Sequence, residues 1–138
     1  MWLGDLMDIT PLEIDEQRVF VQEVKYRYRL RNDFLDLMFF ATFNGEIYKS
    51  IGKVDQAGLV RGVSDILYLQ ARGGYAFFSC ELKRVSRRNE KDGGVPLVEK
   101  EWMQMARKAG AFVSVAYGAD EALELFANYM GMDLHDFG

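Results

Sequence analysis

The sequence predicts an α/β domain in which a mixed central sheet is flanked by helices, with the element order αβ(α)ββαβα. Two apolar runs on either side of Gly73-Gly74 form a β-hairpin pattern in the middle of the chain. Apolar residues with helical spacing lie before and after this hairpin, and a further strand pattern covers residues 112–117. The order of these elements implies a mixed sheet with helices on both faces.

The first helix is predicted to begin around Thr10, which can act as the N-cap. Pro11 suits the first helical position, and Glu13 completes a capping box with Thr10. The helix is expected to run to about Arg29 and to be broken by Asn32-Asp33. Its predicted apolar side consists of Val19, Phe20, Val24 and Tyr28.

Residues 37–43 are predicted to form a buried strand, because the segment is short and almost wholly apolar. Asn44-Gly45 then turns the chain. Residues 46–60 are ambiguous. Their apolar positions fit a short helix that Gly58 could end, and these positions are Ile47, Ile51, Val54 and Ala57.

The hairpin is expected to pair residues 65–69 with residues 75–83, and residues 85–96 read as a polar, mobile loop. A second helix follows, with Gly110 as its C-cap. Its predicted apolar face consists of Val98, Trp102, Met105, Ala106 and Ala109. After the strand at 112–117, a third helix is predicted over residues 119–129. Its inward residues are Ala122, Leu125, Phe126 and Tyr129.

Length and composition indicate one domain of 138 residues, with residues 1–9 and 131–138 as tails. Apolar residues make up 49% of the chain, enough for a packed core, which argues against disorder. No apolar stretch reaches membrane-spanning length and no signal-peptide pattern opens the chain. No membrane partner is therefore expected, and the predicted location is the cytoplasm.

The cysteine and histidine counts exclude several kinds of site. A single cysteine, Cys80, excludes an internal disulfide and a zinc ribbon, and it fits a reducing compartment. It is predicted to be inert and to face the core. A single histidine, His135, lies near the C-terminus. This argues against a Ser-His-Asp triad, an HNH nuclease and a histidine-based metal centre.

The candidate site lies on the hairpin. Residues i and i+2 of a strand share a face, so Glu81 and Lys83 project together while Leu82 projects into the core. The Gly-Gly turn brings Asp65 beside Glu81. Two carboxylates and a lysine suit a divalent cation that activates water against a phosphodiester. The alternatives are a strand-start turn residue for Asp65 and an exposed salt bridge for Glu81 and Lys83.

The spacing Asp–x15–Glu–x–Lys is the PD-(D/E)xK nuclease signature, and other motifs accompany it in a fixed order. These are Asn44-Gly45, Gly62-Val63-Ser64-Asp65, Glu81-Leu82-Lys83-Arg84, Glu99-Lys100-Glu101-Trp102 and residues 109–115. The set resembles the VRR-NUC family, the virus-type replication–repair nucleases, over about residues 10–130. The resemblance implies a restriction-endonuclease-like fold and a Mg²⁺- or Mn²⁺-dependent endodeoxyribonuclease.

The resemblance also implies roles for individual residues. Asp65 and Glu81 would be metal ligands together with the backbone carbonyl of Leu82, and Lys83 would contact the attacking water or the phosphate. The family carries a glutamate on the first helix with a glutamine four residues on, which Glu13 and Gln17 match. Glu16 is the competing candidate, and Glu13 could instead serve only the capping box.

Two positions depart from the family pattern. Ser64 stands where proline is usual, which should leave the chemistry intact. Glu99 stands where a glutamine is usual, three residues before the aromatic Trp102. A glutamate there could orient a phosphate or water, or it could add charge to the metal site. Trp102 is predicted to be a core residue rather than a platform for base stacking.

Charge is unevenly distributed along the chain, whose net charge is −4. Residues 119–138 are acidic and contain no lysine or arginine. Basic residues that follow the candidate site are predicted to contact the DNA backbone, and they are Arg84, Arg87, Arg88 and Lys91. A second basic cluster consists of Lys25, Arg27, Arg29 and Arg31. The alternative is that both clusters are simply solvated.

Stand-alone members of the family resemble Holliday-junction resolvases in size, so the expected substrate is branched DNA in a bacterial or phage-infected cell, as in DNA repair. The rivals are a flap or nicking nuclease, a catalytically silent DNA-binding module, and a structural protein that acts through its acidic C-terminal helix. A homodimer is expected, because symmetric cutting needs two sites. The apolar segments that could form its interface are residues 35–40 and Met130, Met132, Leu134 and Phe137.

Overall fold

The computed structural model describes residues 8–42 and 57–134. Its helices are α1 (Glu13–Tyr28), α2 (Leu97–Lys108) and α3 (Ala119–Met130), and its strands are β1 (Phe39–Ala41), β2 (Ile66–Tyr68), β3 (Phe78–Lys83) and β4 (Phe112–Tyr117). Short 3₁₀ helices cover Asp36–Met38, Val85–Asn89 and Lys91–Gly94. The α/β class is confirmed. Within these ranges, no helix is both long enough and apolar enough to cross a bilayer.

The four strands form one mixed sheet in the order β1-β2-β3-β4. The pairs β1–β2 and β2–β3 are antiparallel, whereas β3 and β4 are parallel and α2 connects them. The predicted hairpin is present, although its paired strands are shorter than expected. Gly73 and Gly74 have φ values of 56° and 89°, which the tight turn requires and which glycine adopts at little cost.

Helices α1 and α3 cover one face of the sheet. Phe126 of α3 lies at the centre of a cluster of aromatic rings contributed by Phe20, Tyr28, Phe34, Phe39, Tyr68 and Phe78. Alternate residues of β3, namely Phe78, Cys80 and Leu82, enter this core. The intervening residues of β3 therefore face the opposite side of the sheet, where α2 lies.

Helix α1 does not begin with the predicted capping box. Its N-cap is Leu12, and no side chain caps the helix. The Thr10 hydroxyl instead donates a hydrogen bond to Asp8, because a local turn before the helix satisfies it. Phe20 and Val24 are buried as expected and Tyr28 packs beside them, whereas Val19 is exposed.

The segment predicted to be a buried strand is mostly exposed. A 3₁₀ turn precedes the three-residue strand β1, in which only Phe39 is buried. Its position at the edge of the described sheet accounts for the exposure, since no strand within residues 8–42 and 57–134 pairs on its outer side. The predicted turn at Asn44-Gly45 and most of residues 46–60 lie outside the described residues, and Gly58 has a φ of 89°.

Two predictions for the next part of the chain were wrong. Residues 85–96 are not a loop throughout, because Val85–Asn89 is a 3₁₀ helix and Lys91–Gly94 is a 3₁₀-type turn whose Asp92 and Gly93 have left-handed dihedral angles. Helix α2 buries Met103 and Ala106, whereas Val98, Met105 and Ala109 are exposed and Trp102 is half-buried. The helix packs on β4 through a narrow strip, so only part of its apolar surface is covered. Gly110, with a φ of 94°, ends the helix as predicted.

The start of α3 is held by a residue from α1. Gly118 has a φ of 97° and leads directly into the helix, and the Glu16 carboxylate accepts a hydrogen bond from the Ala119 N–H. A side chain on Gly118 would meet Glu16 Oε2 at 2.8 Å. The expected inward residues of α3 are buried or packed against the core, and Leu123 is buried as well.

Residues 131–134, predicted to be part of a tail, are ordered around the buried Arg72. Its Nη1 donates to the carbonyl oxygens of Met130 and Met132 at 3.1 and 2.8 Å. Its Nη2 pairs with Asp33 at 2.5 Å, and this contact together with Arg31 holds the pKa of the Asp33 carboxyl well below its usual range. The Gly73 N–H donates to the Asp133 carbonyl at 2.9 Å. The C-terminal segment is therefore tied to the hairpin turn.

Candidate metal centre

The hairpin places Asp65 next to β3. Asp65 directly precedes β2, and the pairing of Ile66 with Cys80 sets it opposite Glu81. Its Oδ2 accepts a hydrogen bond of 2.7 Å from the Leu82 N–H, and its carbonyl accepts one of 2.8 Å from the Thr42 N–H. The Asp65 carboxylate is thus fixed by a backbone donor of the neighbouring strand.

A third carboxylate comes from α1. Oxygen atoms of Glu13, Asp65 and Glu81 all lie within 4.8 Å of one another. Glu16 is not part of this group, because it holds the start of α3. Gln17 is half-buried one helical turn after Glu13 and has no hydrogen-bond partner among residues 8–42 and 57–134. Of the two candidate glutamates, the geometry selects Glu13.

The pKa of the Glu81 carboxyl departs far from its ordinary value. Burial, together with the nearby Asp65, raises its pKa to about 10. Its Oε2 is buried and accepts no hydrogen bond within the described part of the chain. Burial and Asp65 also raise the pKa of Glu13. An unpartnered buried carboxylate oxygen is costly unless a cation meets it, so this donor set fits a divalent ion that prefers oxygen ligands.

Lys83 lies on the same face as Glu81, as predicted. Its Nζ is 2.8 Å from Glu99 Oε1 and 3.8 Å from Glu81 Oε1. Burial alone would lower the pKa of Lys83, but the hydrogen bond from Glu99 and the charges of Glu81, Glu99 and Glu13 outweigh it and raise this pKa. Lys83 is therefore protonated at neutral pH, and its ammonium can only donate hydrogen bonds to a bound group.

Glu99 reaches the site from the first turn of α2. It lines a cavity of about 360 Å³ with the three carboxylates, but it pairs with Lys83 and does not belong to their group. Gly62, with a φ of 80°, lies directly against the Val98 carbonyl, where a side chain would clash. This close approach brings the segment before Asp65 against the helix that carries Glu99.

Buried hydroxyl groups support the site, and sequence analysis did not identify them. Ser64, in place of the usual proline, is fully buried and accepts a 2.9 Å hydrogen bond from the Ser79 hydroxyl. Thr42 Oγ1 donates to the Ser64 carbonyl at 2.6 Å. Ser79 occupies the same face of β3 as Glu81 and Lys83. This run of polar side chains at i, i+2 and i+4 in an apolar strand was the available signal.

The four basic residues after the motif have different surroundings. Arg84 Nη2 donates to the Thr10 carbonyl at 2.7 Å and its Nε donates to the Pro11 carbonyl at 3.2 Å, so it fixes the chain just before Glu13. Arg88 pairs with Glu121 and lies over the Tyr117 ring. Arg87 and Lys91 line a second cavity together with Lys83.

The second basic cluster is remote from the site. It occupies the last turn of α1 and the residues that follow, roughly 20 Å along the helix from Glu13 at 1.5 Å per residue. Arg27 pairs with Glu23 at 3.0 Å and Arg31 with Asp33 at 2.6 Å. These side chains are consistent with a solvated, locally paired surface.

The assignment of Glu13 is testable against Glu16. Glu13→Gln is expected to weaken Mn²⁺ binding at least about tenfold, because it removes one charge from the carboxylate group. Glu16→Gln is expected to leave metal binding unchanged and to destabilise the fold by about 1 kcal/mol, because it weakens a charged helix cap. Calorimetric titration with Mn²⁺ and thermal melts of both variants check this. The reverse pattern would exchange the two roles.

No protein-family model matches this sequence, and no curated protein matches it. The structure is similar to a solved structure described as a "VRR_NUC domain protein", with a TM-score of 0.73 and 22% sequence identity, covering 91% of this chain and 93% of that chain. The similarity extends over nearly the whole of both chains, and it confirms at the level of the fold the resemblance carried by the motifs. This chain has the fold of a VRR_NUC domain protein.

Proposed function

We propose that the chain belongs to the VRR-NUC family and is a divalent-metal-dependent, structure-specific endodeoxyribonuclease that cuts branched DNA. The observation that carries the proposal is the meeting of Glu13, Asp65 and Glu81 within 4.8 Å, beside the buried Lys83. The VRR_NUC fold supports a nuclease. Branched DNA as the substrate rests on the resemblance to stand-alone family members.

In this proposal, Asp65 and Glu81 hold Mg²⁺ or Mn²⁺ with the Leu82 carbonyl, and Glu13 completes the site directly or through water. The bound ion would supply a water of lowered pKa and positive charge opposite the scissile phosphate. Lys83 donates a hydrogen bond to the phosphate or orients the attacking water, because it stays protonated. Gln17 lies within one helical turn of Glu13 and would help to orient that water.

Glu99 acts in this scheme by positioning Lys83. Glu99→Gln is therefore expected to leave Mn²⁺ affinity within about threefold of wild type and to lower cleavage about three- to tenfold, because the amide oxygen still accepts the lysine hydrogen bond but without a charge. Glu101→Gln, an exposed change on the same helix, is the matched control. A large loss of metal affinity in Glu99→Gln would make Glu99 a ligand, and no effect on either measurement would place it outside the site.

The proposed homodimer would use the edge of the sheet. Four apolar side chains at β1 or just before it are exposed, and no strand of the described part of the chain pairs with its outer side; they are Leu35, Leu37, Met38 and Phe40. Of the other predicted interface residues, Met130 and Met132 are buried or packed against the core and are not available for it, Leu134 is exposed, and Phe137 lies outside the described residues. Light scattering over a concentration series is expected to give a dimer. A clean monomer at micromolar concentration would leave assembly on DNA as the only route to paired cuts.

Cleavage of labelled DNA tests the proposal directly. The assay uses four labelled substrates with Mg²⁺ and with Mn²⁺: a four-way junction, a flap, a splayed arm and a linear duplex. The Asp65→Asn variant serves as the control. Preferential, metal-dependent cutting of the junction is expected. Preferential cutting of the flap or of nicked duplex would contradict the proposed substrate but would still support nuclease activity.

Two further outcomes would change the class of the protein. DNA binding and metal binding without cleavage would indicate a catalytically silent DNA-binding module. Failure to bind either metal or DNA would favour an interaction protein. The carboxylate group and the protonated Lys83 disfavour both. The proposed cytoplasmic setting is supported by Cys80, a buried thiol whose pKa burial raises to about 12.

A further inference from the structure

A second cavity of about 450 Å³ adjoins the candidate metal centre. Its walls come from the 3₁₀ turn Lys91–Gly94, from Arg87 before it and from the start of α2 after it. Glu99 lines both cavities, whereas Lys83 lines only the second. The Lys83 side chain is 4% exposed, and its ammonium is held 2.8 Å from Glu99 and 3.8 Å from Glu81, both of which line the first cavity.

Three basic and three acidic side chains line this second cavity, and one of the acids pairs with Lys100, which lies outside the lining, so one cation is left over. Three acidic residues line it, and each is already paired: Glu90 with Arg87 at 3.1 Å, Asp92 with Lys100 at 3.0 Å, and Glu99 with Lys83 at 2.8 Å. Lys91 has no ion-pair or hydrogen-bond partner within residues 8–42 and 57–134. The pair with Glu90 uses only the Nε of Arg87, so its two terminal nitrogens remain available to a ligand.

The backbone holds these cations in place. Asp92, Gly93 and Gly94 have φ values of 56°, 61° and 72°, so three successive residues are left-handed. The Tyr117 hydroxyl donates to the Gly93 carbonyl at 2.7 Å. A side chain on Gly94 would meet Arg87 Nε at 2.8 Å, so the guanidinium lies directly on this turn. This turn sets the backbone of Lys91 at the cavity and holds the Arg87 guanidinium against it.

We propose that this cavity binds a neighbouring phosphodiester of the strand that is cut, with Lys91 and Arg87 as its ligands. The inference rests on the proposed nuclease function. One phosphate would lie at the metal, the next along the strand would lie in the second cavity, and the Lys83 ammonium would lie between them. Helix α2 begins here with Pro96 and no side-chain cap, so its positive end adds to the attraction. Gripping consecutive phosphates would fix the direction of the strand across the metal.

The test measures binding of a short single-stranded oligonucleotide by fluorescence anisotropy, with Ca²⁺ in place of the catalytic ion. Lys91→Ala is expected to weaken binding roughly tenfold, because it removes one charged hydrogen bond. The slope of log K against log salt should fall by about 0.7, the value for one phosphate contact on a single strand. Lys91→Arg should restore both quantities. Lys108→Ala, a change at the exposed end of α2, is the control and should alter neither.

A neutral phosphate gives an independent measurement. A series of substrates carries a single uncharged methylphosphonate at successive positions of the cleaved strand. The methylphosphonate next to the scissile bond should slow cleavage by the wild type but not by Lys91→Ala. The subsite is refuted if Lys91→Ala behaves like Lys108→Ala, or if no position depends on Lys91. If no DNA is cut under any condition, the nuclease proposal fails, and Lys91-dependent oligonucleotide binding would still establish the subsite. If DNA is cut but neither binding nor cleavage depends on Lys91, only the proposed subsite is refuted and the nuclease proposal stands.

Discussion

Asp65→Asn is expected to reduce metal-dependent cleavage by at least about 1,000-fold, with Glu81→Gln close behind. Each change removes a ligand charge and almost no volume, and a bound metal contributes several kcal/mol to the transition state, at 1.36 kcal/mol for each factor of ten. The fold should survive both changes. The oxygen of an asparagine at 65 can still accept the Leu82 N–H, and a neutral group at 81 suits its buried position.

Matched controls make this result specific. Asp36→Asn and Glu124→Gln alter the same side-chain types at exposed positions, and both should retain full activity. Circular dichroism and melting curves show whether each variant is folded. Activity close to wild type in a folded Asp65→Asn protein would show that the carboxylate group of Glu13, Asp65 and Glu81 is not the catalytic centre.

Metal binding is expected to release a proton and to strengthen as the pH rises. Because the pKa of Glu81 is raised to about 10 in the metal-free protein, this carboxyl is protonated at neutral pH and must lose its proton to become a ligand. Affinity for Mn²⁺ should therefore increase roughly tenfold per pH unit from pH 6 to pH 8 if one proton is released. Calorimetry in buffers of different ionisation enthalpy counts the protons directly.

The same raised pKa sets the pH dependence of stability. An acid whose pKa is higher in the folded than in the unfolded state binds its proton more tightly when folded. The metal-free protein should then lose stability as the pH rises from about 4.5 towards 10. Glu81→Gln should flatten this slope and remove the proton release, whereas Glu124→Gln should preserve both. Metal binding without proton release by the wild type would mean that Glu81 is already ionised.

The hairpin and the relative placement of Asp65, Glu81 and Lys83 were predictable because their signals are local. Gly73-Gly74 fixes the turn, the turn fixes the register, and the strand period then decides that Glu81 and Lys83 share a face. Helix α3 and strand β4 were predictable for a similar reason, since each has a complete apolar pattern and a glycine at its boundary. These elements account for the sheet and for two of the three carboxylates.

The features that could not be predicted depend on contacts between distant parts of the chain. Glu13 and Glu16 are equivalent as helix residues, and only the position of α3, which engages Glu16, leaves Glu13 to join Asp65 and Glu81. The apolar stripe of α2 was predicted from the sequence, but of its members only Ala106 is buried, and the helix buries Met103 beside it. The local sequence predicts a capping box at Thr10. In the structure, the Thr10 hydroxyl instead bonds to Asp8, and Arg84 donates hydrogen bonds to the carbonyl oxygens of Thr10 and Pro11.

The arrangement around Arg72 bears on how the chain can be engineered. The buried guanidinium of this residue takes its partners from Gln70, from Asp33 and from the main chain at the end of α3. Residues 131–134 therefore hold in place the hairpin that carries Asp65 and Glu81. Deleting the residues after Met130 would remove the Met132 carbonyl that accepts a hydrogen bond from the buried Arg72, although helix α3 itself would be intact. Affinity tags and fusions at the C-terminus therefore belong beyond Leu134, and minimal versions of the domain should keep that segment.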